Sequence, residues 1–185
     1  MHPVKHFNTI TAHHMRVLEG CFRVGLYWQG LTHDLSKYSV TEFWRGARYY
    51  QGTRSPNAEE REEKGYSEAW MHHKGRNRHH FEYWTDVSPV THQYEPLEMP
   101  TEFFVEMCMD RIAASRTYLG DQYHDGAPLE YLQRAGDNRW MHPVTARKLR
   151  FILTMLRDKG EEKTFRFIRE VVLQELPFAE DDMEQ

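Results

Sequence analysis

The chain has 185 residues, 39% hydrophobic and 14% aromatic, and a net charge of −4 at neutral pH. That length suits one domain with a core that needs no covalent staple. The acidic balance speaks against general nucleic-acid binding, which asks for a basic excess. Cys21 and Cys108 have no CxxC partner and read as reduced thiols. No apolar run follows Met1-His2-Pro3-Val4-Lys5, and no stretch reaches the roughly eighteen apolar residues that a membrane helix needs. The expectation is a soluble, cytoplasmic protein with no signal peptide and no membrane partner.

Hydrophobic spacing predicts a first helix from a Thr11 cap to about Trp28, with Val17, Cys21, Val24 and Trp28 on one face. A second helix starts at His33-Asp34 or at Ser39, where Ser39-Val40-Thr41-Glu42 matches a capping box, and fades at Gln51-Gly52. Thr53 to Asn57 is loop chemistry, and the charge run Glu59 to Lys64 reads as a solvated face. Ser67 to His73 forms a short helix, broken at Gly75 and resumed from His79 to Trp84. Pro89, Pro96 and Pro100 forbid a long helix between Asp86 and Pro100.

Thr101 opens a strong helix to about Leu119, with Phe104, Met107, Cys108, Arg111, Ile112 and Ser115 along one side. Pro143 fits the first turn of the next, which carries a Leu149, Ile152, Leu153, Leu156 stripe and stops at Lys159 before a capping Gly160. A last helix covers Thr164 to Leu176, and residues 177–185, with Glu180-Asp181-Asp182, form an acidic, frayed tail. There is no alternating strand pattern and no repeat. The expected class is all-α: one helical domain over 1–185 with its core at about 10–176.

Five of the twelve histidines fall in two short segments, His33-Asp34-Leu35-Ser36-Lys37 and the run from His72 to His80. Neutral imidazoles with a carboxylate suit a borderline divalent cation, so the obvious reading is a metal centre. The candidates are His13 or His14, then His33 and Asp34, His72 and His73, His79 and His80. His13 is preferred because it lies four before Val17 and eight before Cys21, on the apolar face. Histidines seven apart in an unbroken helix would sit about 10 Å apart. Sharing an ion therefore requires a turn at Gly75, or else each pair serves a different metal. Adjacent helical histidines diverge by roughly 100°, so one of each pair could bind while the other orients it or meets substrate.

Lys37, Lys74, Arg76, Arg78 and Arg111 make this region basic, which suits phosphate oxygens, or else simply balances Glu68 and Glu82. Asn77 either caps the resumed helix or contacts substrate. Glu42 either orients a ligand histidine or serves only as the capping partner of Ser39. The remaining histidines, His2, His6, His92, His124 and His142, read as satisfied surface or core residues. Most of the aromatics Trp44, Tyr49, Tyr50, Trp70, Tyr83 and Trp84 read as core, with room for one or two to stack on a nucleobase.

The order His13, His33-Asp34, later histidines, then Asp110 resembles the HD superfamily of metal-dependent phosphohydrolases. His33-Asp34-Leu35-Ser36-Lys37 looks like that family's His-Asp-x-x-Lys core, and Asp110 in Met109-Asp110-Arg111-Ile112-Ala113-Ala114 looks like its closing carboxylate. More narrowly, the runs HDLSKYSVTEF, AWMHHKGRNRHHFEYW and EMCMDRIAAS resemble a domain-of-unknown-function family, placed here as a divergent HD branch; this covers most of residues 10 to 160. The resemblance implies an HD-like helical bundle holding one or two divalent ions (Mn, Fe, Zn, Co or Mg) through His13, His33, Asp34, His72, His73, His79, His80 and Asp110. It implies hydrolysis of phosphomonoesters or nucleotides by metal-activated water. Asp34 and Lys37 would be catalytic, and Lys37, Lys74, Arg76, Asn77, Arg78 and Arg111 would hold a small phosphorylated molecule or nucleotide. Homo-oligomerisation is left open. Three other readings fit the same residues: a di-iron oxygenase on HD-like helices, a His-Asn-His nuclease through His72-His73, Asn77 and His79, and a non-catalytic metal-binding helical protein.

Overall fold

The computed structural model describes residues 1–134 and 140–178, so the acidic tail from residue 179 lies outside the described residues. Helix α1 runs Pro3–Val24, starting eight residues before Thr11. Proline is suited to a first helical position, where its missing N–H costs nothing. Gly25 ends the helix at φ 96°, and its amide bonds back to Cys21 and Phe22. Trp28 therefore belongs to a separate short helix, α2 (Tyr27–Thr32), and is exposed rather than part of the α1 face.

A 3₁₀ turn, Leu35–Tyr38, leads into α3 (Val40–Arg48), capped by the Ser39 hydroxyl accepting from the Glu42 amide. Helices α4 (Pro56–Lys64) and α5 (Glu68–Lys74) follow, capped by Ser55 and Ser67. The chain then turns and does not resume a long helix: Phe81–Tyr83 is a 3₁₀ turn, preceded by His80 in extended geometry. A two-stranded antiparallel hairpin, β1 (Thr85–Val87) with β2 (Tyr94–Pro96), places Asp86 opposite Glu95. It is the one sheet among the described residues.

Helix α6 (Thr101–Leu119) is the centre of the fold. It packs against α1, α2, α7 (Ala127–Arg134) and α8 (Pro143–Lys159), and its N-terminal two-thirds is buried on more than one face. Val17, Cys21 and Val24 of α1, Val105, Cys108 and Ile112 of α6, and Leu149, Ile152, Leu153 and Leu156 of α8 form one core. Truncating one of these leucines to alanine costs about 2–5 kcal/mol. Helix α9 (Glu161–Phe167) runs on through a π turn, Ile168–Val172, so the last helix starts three residues earlier than its spacing predicts. The class is all-α. No helix among the described residues is long and apolar enough to cross a membrane.

The acidic run on α4 is not wholly solvated. Glu60 is 1% exposed; the Ser67 hydroxyl (2.7 Å) and the Ala69 amide (3.3 Å) donate to one of its oxygens. Arg45 (3.3 Å) and Lys64 (3.4 Å) approach the other. Glu60 thus ties α3, α4 and α5 together, which a charge run read by itself conceals.

Candidate metal centre

Each side chain of the cluster is delivered by a different local device. His13 stands in the α1 stripe His6, Ile10, His13, Val17, Cys21, Val24, where three- and four-residue steps keep one face inward. His33 terminates α2, and Asp34 adopts the left-handed conformation at φ 54°, which aspartate tolerates better than most residues. In this turn the two adjacent side chains converge: His33 Nε2 is 3.2 Å from Asp34 Oδ2. His14 Nδ1 donates to the His33 carbonyl at 2.8 Å and so braces the turn from behind. Gly75 ends α5, and the following turn folds His79 and His80 back over His73.

Asp34 is 3% exposed and sits at the middle. Its Oδ1 faces His73 Nε2 at 3.1 Å and His79 Nε2 at 3.3 Å. Its Oδ2 faces His33, His13 Nε2 at 3.9 Å and the Lys37 ammonium at 2.5 Å. Asp110, on α6, lies 3.0 Å from His13 Nε2 and 3.7 Å from His33 Nε2. Two sets of potential ligand atoms meet at Asp34, each within 4.8 Å of one another: Asp34, His73, His79 and His80, and His13, His33, Asp34 and Asp110; a third joins His33, His79 and Glu106. Asp34 belongs to the first two.

The opposite ring nitrogens are engaged outward. His33 Nδ1 donates to Glu106 Oε1 at 2.9 Å, and His79 Nδ1 lies 3.0 Å from the same oxygen. His73 Nδ1 donates to Glu42 Oε2 at 2.7 Å. Placing the proton on Nδ1 leaves the Nε2 lone pair of all three rings directed at Asp34, the arrangement that orients a metal-binding imidazole. Buried atoms without a hydrogen-bond partner include Nε2 of His13, His33, His79 and His80 and both oxygens of Asp34. Buried polar atoms are normally paired, so a group of unpartnered ones facing one point could hold a cation.

Burial opposes charge on Asp34, but His33, Lys37 and the neighbouring imidazoles hold its carboxyl well below the usual range. Asp110 is lowered in the same way by His13 and His33 against its burial. Burial likewise opposes a proton on His33 and His73, yet Asp34 and the surrounding carboxylates outweigh it and raise both. His13 and His80 are pushed down, chiefly by burial, so both are neutral and free to donate a lone pair. With imidazole nitrogens and carboxylate oxygens only, the donor set fits a borderline divalent ion. The thiols take no part: Cys108 is a core residue whose pKa burial pushes up to about 12.

The structure brings together His13, His33, Asp34, His73, His79, His80 and Asp110. It places His72 outside both sets, with Nδ1 donating to Glu42 Oε1 at 2.6 Å. His72 and His73 diverge as helical neighbours do, whereas His79 and His80 both stay in the set because the chain there is turn and extended strand rather than helix. Glu42 uses its amide for the Ser39 cap and its carboxylate for the two histidines, so the two roles weighed for it coexist.

The basic residues converge less. Lys37 reaches the cluster, but Arg76 is exposed and donates to the His72 carbonyl. Arg78 is exposed as well, over the rings of Tyr83 and Phe103. Asn77 is a brace: its amide donates to Ser36 Oγ and the His73 carbonyl, both at 2.8 Å. Lys74 and Arg111 stand beside Glu82, and the Arg111 Nε is buried without a partner. Residues 72–80 are helix and turn, not the strand-and-helix clasp of a His-Asn-His nuclease. Glu106 is the functional residue that sequence reasoning passed over; its position four before Asp110, on one face of α6, was the available signal.

Fold and site together define an all-helical protein with a buried histidine–carboxylate cluster able to hold metal. The chain belongs to DUF5662, a family of unknown function, whose model matches residues 2–155. That span contains every residue of the cluster. No curated protein and no solved structure matches the chain.

Proposed function

We propose that this protein is a divergent member of the HD superfamily and a metal-dependent hydrolase of phosphomonoesters or nucleotides. One observation carries the reading. The two oxygens of a single buried aspartate face two donor sets, in which Nε2 of His13, His33, His79 and His80 has no hydrogen-bond partner. His13, His33, Asp34 and Asp110 would hold one divalent ion, and Asp34, His73, His79 and His80 a second. When bound, such ions supply Lewis acidity toward a phosphoryl oxygen and an activated water near neutral pH.

The protein's own groups do the rest. Glu42 and Glu106 keep the Nδ1 protons in place, so the ligand lone pairs do not need to reorganise. Asp110, with its side chain 18% exposed, marks the accessible side of the cluster, against 3% for Asp34. Lys37 sits beside it with its side chain 29% exposed, where a point charge can meet a phosphate oxygen. Arg111, next to Asp110 in the chain, is the remaining candidate for that task. Arg76 and Arg78 are tied elsewhere and are dropped from the proposed substrate contacts.

The three imidazoles of one set also suit iron, which makes a di-iron oxygenase the second reading. Elemental analysis of anaerobically purified protein, beside a His33→Ala/Asp34→Ala variant, tests both. Manganese, zinc or cobalt that disappears in the variant, with turnover in a phosphatase and nucleotide panel, supports the hydrolase. Stoichiometric iron with near-ultraviolet absorption and no phosphate release favours the oxygenase. Absence of metal from both proteins after reconstitution refutes either enzyme.

A further inference from the structure

Resting on the metal-centre reading, we infer that the two halves of the centre are unequal and that Lys37 makes them so: the histidine-rich half holds a resident ion, and Lys37 occupies the second half in its place. The two halves differ in donors. One offers three imidazoles and one carboxylate, the other two of each. They are alike in shelter, each with three buried members and one half-buried one, His80 or Asp110.

The larger difference is a competing cation. Lys37 Nζ lies 2.5 Å from Asp34 Oδ2, the oxygen that faces His33 and His13. The other oxygen, Oδ1, faces only imidazoles, His73 and His79, among the described ionisable neighbours within 4 Å. An ion entering the second half must therefore displace the ammonium from Oδ2 or share that oxygen with it, at the cost of repulsion between like charges a few ångströms apart. An ion entering the histidine-rich half meets no ammonium on its carboxylate oxygen. The lysine is anchored to do this: its backbone amide donates to the Asp34 carbonyl at 2.9 Å, so side chain and carboxylate stay together in one turn. A phosphate group at the open side would draw the ammonium off Oδ2. The second ion would then bind together with an anionic substrate, while the first is permanent.

Calorimetric and spectroscopic titration of the metal-free full chain with cobalt, checked by elemental analysis, tests this. The wild type should bind two ions in separated steps. His79→Ala should lose the tight step and Asp110→Asn the weak one. Lys37→Met and Lys37→Gln should each tighten the weak step by about tenfold or more and leave the tight step unmoved. Thermal melts identify any variant that fails to fold, and the two lysine variants back each other up. Two ions bound in one step, or a weak step unchanged or weakened in both folded lysine variants, overturns the proposal while leaving the metal centre standing. Binding of no cobalt by folded wild-type protein overturns the metal centre itself.

Discussion

Two buried carboxylates in this molecule have opposite surroundings. Glu60 has a hydroxyl, a backbone amide, an arginine and a lysine distributed over its two oxygens. Asp34 is as deeply buried, yet no hydroxyl or backbone amide donates to it, and its neighbours are imidazoles and the Lys37 ammonium. A carboxylate that serves the fold brings its own donors, because burying it otherwise costs several kcal/mol. A carboxylate that serves a ligand leaves its lone pairs open for something that arrives later. The difference separates structure from function here without any appeal to relatives.

Substitution should split the pair cleanly. The largest effect is on metal: Asp34→Ala should abolish binding in both halves. Glu60→Ala should do the reverse. It should lower stability by about 3 kcal/mol in denaturant titrations and leave metal stoichiometry intact. A destabilised Asp34→Ala with metal retained would erase the distinction.

An intermediate effect is expected at Glu106. Glu106→Gln keeps the shape but weakens the hold on the Nδ1 protons of His33 and His79, so metal affinity should fall about 10- to 100-fold in competition with a chelator. Unchanged affinity would reduce Glu106 to packing.

Acidification should reveal the same contrast in sequence. Protons and metal compete for Nε2 of His33 and His73, whose pKa values are raised in the metal-free protein, so apparent metal affinity should weaken as pH falls. Glu60 is held below the usual carboxylate range: against burial, the Ser67 hydroxyl, the Ala69 amide and Lys64 favour its charged form. Its contribution is present above the unfolded carboxylate pKa and lost as pH falls through the folded one. Metal loss followed at lower pH by unfolding, read by elemental analysis and circular dichroism on one sample series, is the expected order. The smallest effect belongs to Arg76→Ala, which should change neither metal content nor phosphate-ester turnover.

Much of the site was legible in the sequence because its residues sit in patterns with few meanings. His13 falls on a stripe that has to face inward, and the adjacent His33-Asp34 offers both ligand types from one turn. The carboxylates that orient the ligands were harder to see. Glu42 has a second use in a capping box, and Glu106 is one of three acids on α6, with Glu102 and Asp110. Helical spacing also misled at His79-His80, where tertiary contacts hold the chain in a turn. The strands β1 and β2 are three residues each, too short for alternation to register. Pro3 and Gly25, not the apolar stripe, set the ends of α1. The solvated reading of the acidic run fails at Glu60 because its donors come from three helices, which no local pattern displays.

The most direct measurement of the central claim is a crystal structure of the metal-loaded protein with anomalous diffraction at the edge of the bound metal. The account predicts two anomalous peaks on opposite sides of the Asp34 carboxylate, one among His73, His79 and His80 and the other among His13, His33 and Asp110, the second weaker while Lys37 remains on Oδ2. A map with no peak at Asp34, its oxygens instead hydrogen-bonded to protonated histidines, would contradict it.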